Sequence, residues 1–299
     1  MQKISIIIII FIAGTISIYA QNDGPANTGF AFLKLGVGSR AISMGEAYCT
    51  ISNDATSVIY NPARLVFCEG NNVVVMHSSS AADLTQDFVG GKYSFGKFAL
   101  GLGFYKTSVD GIELRYIPGP AIDKFQSQNI SMGVTFSYKI NEYLSFGMTP
   151  KFLYEKIFTD EASGYGIDFG TNYYKDNYSF AFVLSNIGSV NELRTESTKL
   201  PASVRFGAGY TYPYRNFNFI FAVDGYKVLN GGNMHINLGG EAAYKDLFFV
   251  RLGYQTNYDS KSFTTGIGLK YKNIYFDYAF VPYKYSFSNS NTFTLGLNF

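Results

Sequence analysis

From Asn72 to Phe299 the chain repeats a pattern in which apolar residues occupy every second position and small or polar ones lie between. A period of two is that of an extended strand, whose side chains alternate between faces. In the last segment Phe293, Leu295, Leu297 and Phe299 share one face, and Thr292, Thr294, Gly296 and Asn298 the other. The same alternation runs through Phe98–Phe104, Ile130–Tyr138, Leu144–Met148, Tyr165–Phe169 and Phe276–Phe280. The outer face of a soluble sandwich would be richer in Lys and Glu. Here the second face carries Gly, Ser, Thr and Asn. Charged residues make up 15% of the chain and aromatics 18%, with 31 Gly and no Trp. A soluble domain carries about a quarter charged residues. The combination predicts an all-β fold, a transmembrane antiparallel β-barrel whose greasy face meets lipid and whose small face fills a crowded interior.

The spacing of the alternating runs gives about 14 strands, an even number of the kind bacterial barrels use. Short connections are expected near Gly96, Asn141, Lys175 to Asn177, Pro213 to Asn216, Lys245-Asp246 and Lys272-Asn273. Longer ones are expected near Val109 to Gln126, Thr159 to Ser163, Ser189 to Lys199, Leu229 to Asn233, Tyr258 to Lys261 and Pro282 to Ser290. If the chain starts in the periplasm, all short turns fall there and all longer loops outside, the asymmetry of outer-membrane barrels. Both termini are then expected in the periplasm. A terminal Phe on an amphipathic last strand resembles the signal read by the outer-membrane insertion machinery.

Residues 1–20 read differently. Lys3 precedes an apolar run from Ile4 to Ala13, and Ile18-Tyr19-Ala20 ends in a small residue. This predicts a signal peptide cleaved before Gln21. The apolar run is roughly 10 residues, short for a spanning helix, so a retained anchor is the weaker alternative. Residues 21–71 lack the strand pattern, and a segment of about 50 residues ahead of the first strand needs a location. The barrel lumen offers one, which divides the chain into signal peptide, a hatch or plug over 21–71, and a barrel over 72–299. Within the hatch, a short helix is expected over Asp54 to Val58, capped by Asn53 or Asp54. A turn is expected at Asn61, which Pro62 pushes away from helix. The two cysteines, Cys49 and Cys68, would reach an oxidising compartment, and their separation permits a bridge without showing one.

The segment reads Gly36-Val37-Gly38-Ser39-Arg40-Ala41, then Met44-Gly45, Asn53-Asp54-Ala55, and Asn61-Pro62-Ala63 with Leu65. It resembles the N-terminal hatch of long-chain fatty-acid transporters of the FadL type, and more closely the PorV/PorQ family. Ser185-Asn186-Ile187-Gly188, Leu200-Pro201 through Arg205-Phe206-Gly207, and Leu238-Gly239-Gly240-Glu241 with Arg251-Leu252-Gly253-Tyr254 resemble further family segments. The resemblance implies a 14-stranded barrel in the bacterial outer membrane with a hatch in its lumen. It implies first an association with type IX secretion, binding secretion components or cargo, and as the alternative a passive channel for long-chain fatty acids or other hydrophobic small molecules. Some members pass their substrate through a lateral opening. The chain departs from the pattern at Glu46, where a small residue is usual, and at Arg64, where Gly is usual. The second departure puts a close backbone turn at that point in doubt. Candidate hatch and gating residues are Arg40, Asn53, Asp54, Asn61, Pro62 and Arg64.

Catalytic and cofactor chemistry finds no support. His77 and His235 are the only histidines. The nearest acid on the face of His235, Glu241, is about 20 Å along the strand, too far to orient it. Two histidines and two cysteines without close spacing match no metal-ligand pattern, and no cofactor is expected. Gly101-x-Gly103 lies inside a strand and not at a strand–helix turn, so it is no phosphate loop; such glycines make room in the lumen. Net charge is +2 with no basic block, which argues against a nucleic-acid partner. Glu241 and Arg251 are expected to face inward on neighbouring strands, paired across a three-residue turn. That pair either props the barrel or contacts substrate or hatch. The expected surroundings are outer-membrane lipid, with secretion proteins or a hydrophobic small molecule as further partners.

Overall fold

A computed structural model describes residues 28–299 apart from 118, 194–198 and 286. The expected signal peptide and its cleavage site lie outside the described residues. Fourteen strands follow one another. They are β1 (Asn72–Ser79), β2 (Leu84–Phe95), β3 (Phe98–Leu114), β4 (Asp123–Lys139), β5 (Leu144–Ile157), β6 (Asp160–Lys175) and β7 (Tyr178–Val190). Then come β8 (Ser203–Tyr214), β9 (Phe217–Val228), β10 (Met234–Tyr244), β11 (Phe248–Gln255), β12 (Phe263–Tyr271), β13 (Ile274–Val281) and β14 (Ser290–Asn298). Each pairs antiparallel with its sequence neighbours, and β1 pairs with β14, so the sheet closes into a barrel. Closure leaves no sheet edge. Phe299 completes the seam, exchanging backbone hydrogen bonds of 3.0 Å with Asn71.

Alternation sets the two faces. Along β1, Asn72, Val74, Met76 and Ser78 are buried while Val73, Val75, His77 and Ser79 are exposed. The apolar residues of the alternating runs point outward: Leu102, Phe136, Phe180, Leu252 and Leu295 are all exposed. Rings cluster near the short-turn end, in pairs such as Phe98–Tyr138, Tyr178–Tyr210 and Phe217–Tyr244. Such a girdle is what a barrel presents at a membrane–water boundary. Among the described residues no helix is long and apolar enough to cross a membrane.

The expected short turns fall at one end, beside Asn71 and Phe299. The expected longer loop from Thr159 to Ser163 is instead a tight hairpin: Ile157 pairs with Asp160, and Phe158 takes φ 58°. The loop expected over Val109 to Gln126 also shrinks, because β3 runs to Leu114 and β4 starts at Asp123. In both places the strands extend beyond the apolar band, where polar residues hide the period.

The segment before β1 contains a turn of 3-10 helix (Ala31–Lys34), α1 (Ser39–Ser43), α2 (Ser57–Tyr60) and a second 3-10 turn (Pro62–Phe67). The helix expected over Asp54 to Val58 lies a few residues later, because Asp54 first closes a turn: its Oδ1 accepts from the Thr56 amide at 2.9 Å. No sequence signal marked α1. It is too short to stand alone, and the wall holds it: Ser39 donates from N to Thr294 Oγ1 and from Oγ to the Thr292 carbonyl, both at 2.9 Å. The segment's Phe30, Phe32, Val58 and Leu65 form an apolar cluster with the inward Met76, Phe88, Tyr105 and Leu153.

The segment runs the length of the lumen, and the expected N-terminus of the mature chain lies outside the described residues. Gly29 donates to the Lys199 carbonyl in the β7–β8 loop, and Asn71 bonds to Phe299 at the other end. The described chain therefore begins at the long-loop end and crosses to the short-turn end before β1. The N-terminal and C-terminal ends of the described chain lie at opposite ends of the barrel.

Candidate functional site

Glycines on the inward face admit the segment. A Cβ on Gly147 would lie 2.3 Å from the Pro62 carbonyl carbon, and one on Gly170 would lie 2.2 Å from Asn61 Oδ1. Asn61 fills the space so created. Its Nδ2 donates to the carbonyls of Cys49 (2.9 Å) and Thr171 (3.3 Å), and its Oδ1 accepts from the Ala63 amide. Ser137 and Ser145 donate to the Ala63 carbonyl. On the opposite wall Asp224 Oδ2 accepts from the amides of Tyr48 (2.9 Å) and Cys49 (3.0 Å). Arg64 lies in the second 3-10 turn, whose backbone requires no glycine at that position. Its Nε donates to the Ser52 carbonyl at 3.0 Å, its guanidinium stands over Phe67, and burial lowers its pKa. Cys49 and Cys68 are both buried and free.

Near the short-turn end the segment meets a chain of charges. Arg40 reaches Glu241 with Nε at 2.7 Å and Nη2 at 2.8 Å. Arg251 stands opposite Glu241 across the Lys245–Leu247 turn, with Nε 2.6 Å from Oε2. It continues to Asp277 through Nη1 at 2.6 Å. Asn53 bonds Arg40, and Tyr275 donates to Asp54 Oδ2 at 3.1 Å. These residues line a polar cavity of about 180 Å³. Arg40, Asn53, Asp54, Glu241 and Arg251 therefore come together, whereas Asn61, Pro62 and Arg64 pack elsewhere. Asp277 is not among the candidate residues read from the sequence, although it sits on the small face between Phe276 and Tyr278 and so carries an inward charge. His235 does not approach Glu241's cluster: its ring stacks on Tyr258 at 3.9 Å.

Two cavities occupy the other half of the lumen. A mouth of about 380 Å³ at the long-loop end is lined by Leu35, Val228, Tyr226, Tyr258, Tyr283 and Lys261, among others. Deeper lies a polar space of about 50 Å³ lined by Glu46, Lys151, Asp168, Asn186 and Arg205, with Lys34, Leu35 and Tyr226 shared between the two. Glu46 and Lys261 stand at the boundary, 3.0 Å apart. Burial works against the charge of Glu46. The ammonium of Lys261 and the guanidinium of Arg205 outweigh it and hold the carboxyl below its ordinary value. The backbone of Glu46 is left-handed, φ 61°, and its carbonyl accepts from Arg205 Nη1 at 2.7 Å.

The wall behind the inner cavity is closed but its hydrogen-bond ladders are irregular. The β4–β5 ladder lapses at Val134–Thr135, opposite Thr149 and Pro150. Proline has no amide hydrogen to offer a ladder. Two strand pairs further on, the β6–β7 register shifts between Ile167 and Phe169, and Asn186 takes φ 60°. Such an extra residue is a β-bulge. Buried side chains tie the place together: Lys151 Nζ lies 2.8 Å from Asp168 and 2.6 Å from Asn186 Oδ1, and the Asn186 amide donates to Asp168 at 2.7 Å. Outside, Pro150, Gly166 and Gly188 floor an apolar groove of about 940 Å³ walled by Leu102, Phe152 and Tyr165.

This architecture is that of known outer-membrane channels. The structure of CymD, a monoaromatic hydrocarbon channel, superposes with a TM-score of 0.64 at 14% identity, over 88% of this chain and 98% of that one. The toluene transporter TbuX of Ralstonia pickettii gives 0.60 at 13% identity, over 88% and 98%. A Pseudomonas aeruginosa FadL homologue gives 0.53 at 10% identity, over 87% and 97%. At these identities the likeness is one of fold. No protein-family model and no curated protein sequence matches the chain. The first two are named for hydrocarbon and toluene transport and the third as a FadL homologue; none is named for the PorV/PorQ identity or the secretion role that the motifs suggested.

Proposed function

We propose that this protein is an outer-membrane channel for hydrophobic small molecules. In this reading residues 1–20 export the chain, 21–71 plug the lumen and 72–299 span the bilayer. The observation that carries it is the irregular stretch of wall at β4–β7, a lapse in one ladder and a bulge in another, with a cavity on its inner side and an apolar groove on its outer side. A hydrophobic solute entering at the mouth would leave sideways there, into lipid, without crossing water. The contact of Lys151 with Asp168 and Asn186 holds this stretch of wall shut. The fold neighbours named for hydrocarbon and toluene transport support this reading over secretion.

The test is a lock on the wall. Val134→Cys with Pro150→Cys places two thiols on neighbouring outward positions. Uptake of radiolabelled toluene is followed in cells that lack other channels for it. Uptake is expected to fall on oxidation and return on reduction. Protein-dependent uptake that ignores the lock would overturn the lateral route, and no protein-dependent uptake would overturn the channel.

A further inference from the structure

The mouth has its own chemistry. Its boundary with the inner cavity is an ion pair between Glu46, on the segment, and Lys261, in the β11–β12 loop. The Lys261 ammonium also stands 5.1 Å from the centre of the Tyr258 ring, which stacks on His235. Tyr226, Tyr283, Leu35 and Val228 add ring faces and aliphatic surface. One compartment thus offers a cation, flat aromatic surfaces and apolar walls. The cation is already occupied by a carboxylate that belongs to the chain itself. Gln255 Nε2 also approaches that carboxylate, at 3.3 Å.

We propose that the mouth binds aromatic carboxylates, whose carboxylate takes the place of Glu46 on Lys261 while the ring lies against Tyr258. The exchange swaps one carboxylate for another, so the ammonium is never left bare. Its effect is to free Glu46 from the loop and unfasten the boundary between mouth and inner cavity. Size points to a ring and not to a long acyl chain. An apolar cavity of about 150 Å³ accepts benzene. The mouth, at about 380 Å³, accommodates a ring with a short acidic side chain. Glu46, where the hatch pattern has a small residue, then acts as a built-in competitor for the ligand's position. The proposal rests on the channel reading for its purpose, since a site at the entrance matters when something passes.

Calorimetric titration of the purified full chain in detergent tests it, with 3-phenylpropionate, its neutral amide and laurate as probes. The acid is expected to bind roughly five- to tenfold more tightly than the amide, the difference between a charged and a neutral hydrogen-bond partner. Glu46→Gln removes the competitor and is expected to tighten the acid by a similar factor. Lys261→Met is expected to erase the preference for acid over amide. Heat-modifiable gel mobility confirms that each variant is folded, and the acid–amide comparison on the unaltered protein needs no variant. Equal binding of acid and amide, tighter binding of laurate than of phenylpropionate, or no gain in Glu46→Gln would each overturn the proposal. Toluene passage into vesicles is measured on the same preparation. Passage without acid selectivity ends this proposal and leaves the channel standing; selectivity without passage does the reverse.

Discussion

Glu241 is the residue on which the charge chain turns. It accepts from Arg40 on the segment and from Arg251 on the wall, with both oxygens used. Removing one member of a buried network leaves charges without partners, which costs about 3–5 kcal/mol. Glu241→Ala leaves Arg40 without a carboxylate and Arg251 with Asp277 alone, and is expected to lower stability toward the lower end of that range, read as a leftward shift in urea unfolding from vesicles. A mild effect, below about 1 kcal/mol, would mean that water reaches the guanidinium groups. The facing of Glu241 and Arg251 was legible in the sequence, because turn length alone sets it. The contacts with Arg40 and Asp277 were not. They depend on where the segment lies after the barrel closes, and no local pattern records a distance spanning 201 residues.

At the scale of elements, the strands were legible and the segment's helices were not, for one physical reason. A strand in this barrel announces itself by a period of two that its own residues carry. The helices α1 and α2 have five and four residues, and their order comes from the wall they touch. The β5–β6 hairpin is not legible in the sequence because Glu155, Lys156, Asp160 and Glu161 break the period of two at the strand ends, and Phe158, in the left-handed turn position, is no turn-favouring residue. The wall in turn is shaped for the segment. Gly147→Val would drive a side chain into the Pro62 carbonyl. The barrel itself tolerates valine in a strand, so the strain falls on the Asn61–Pro62 turn. The expected outcome is a folded, heat-modifiable barrel in which the segment is displaced. Faster cleavage of residues 28–67 by added protease would show it. Cleavage at the unaltered rate would count against the tight fit.

The whole molecule is a cylinder with an apolar exterior and a polar, crowded interior. If that exterior meets lipid, charge placed on it is costly in proportion to depth. Leu295, exposed in the middle of β14, is expected to lose about 2–4 kcal/mol on substitution by Arg, measured by reversible folding into vesicles. The same change at Ser79, at the long-loop end of β1, is expected to cost at most about 1 kcal/mol. Equal costs at the two depths would argue against a bilayer around the cylinder.

The path of the segment from the long-loop end to Asn71 has a topological consequence. Residues 28–71 lead directly into β1, and β1 is one half of the seam that shuts the cylinder against β14. The segment is thus continuous with one half of the seam, and the closed wall surrounds it on every side. Closure is a one-way event for that occupant: once β14 has docked, the segment can leave only lengthwise, through the lumen.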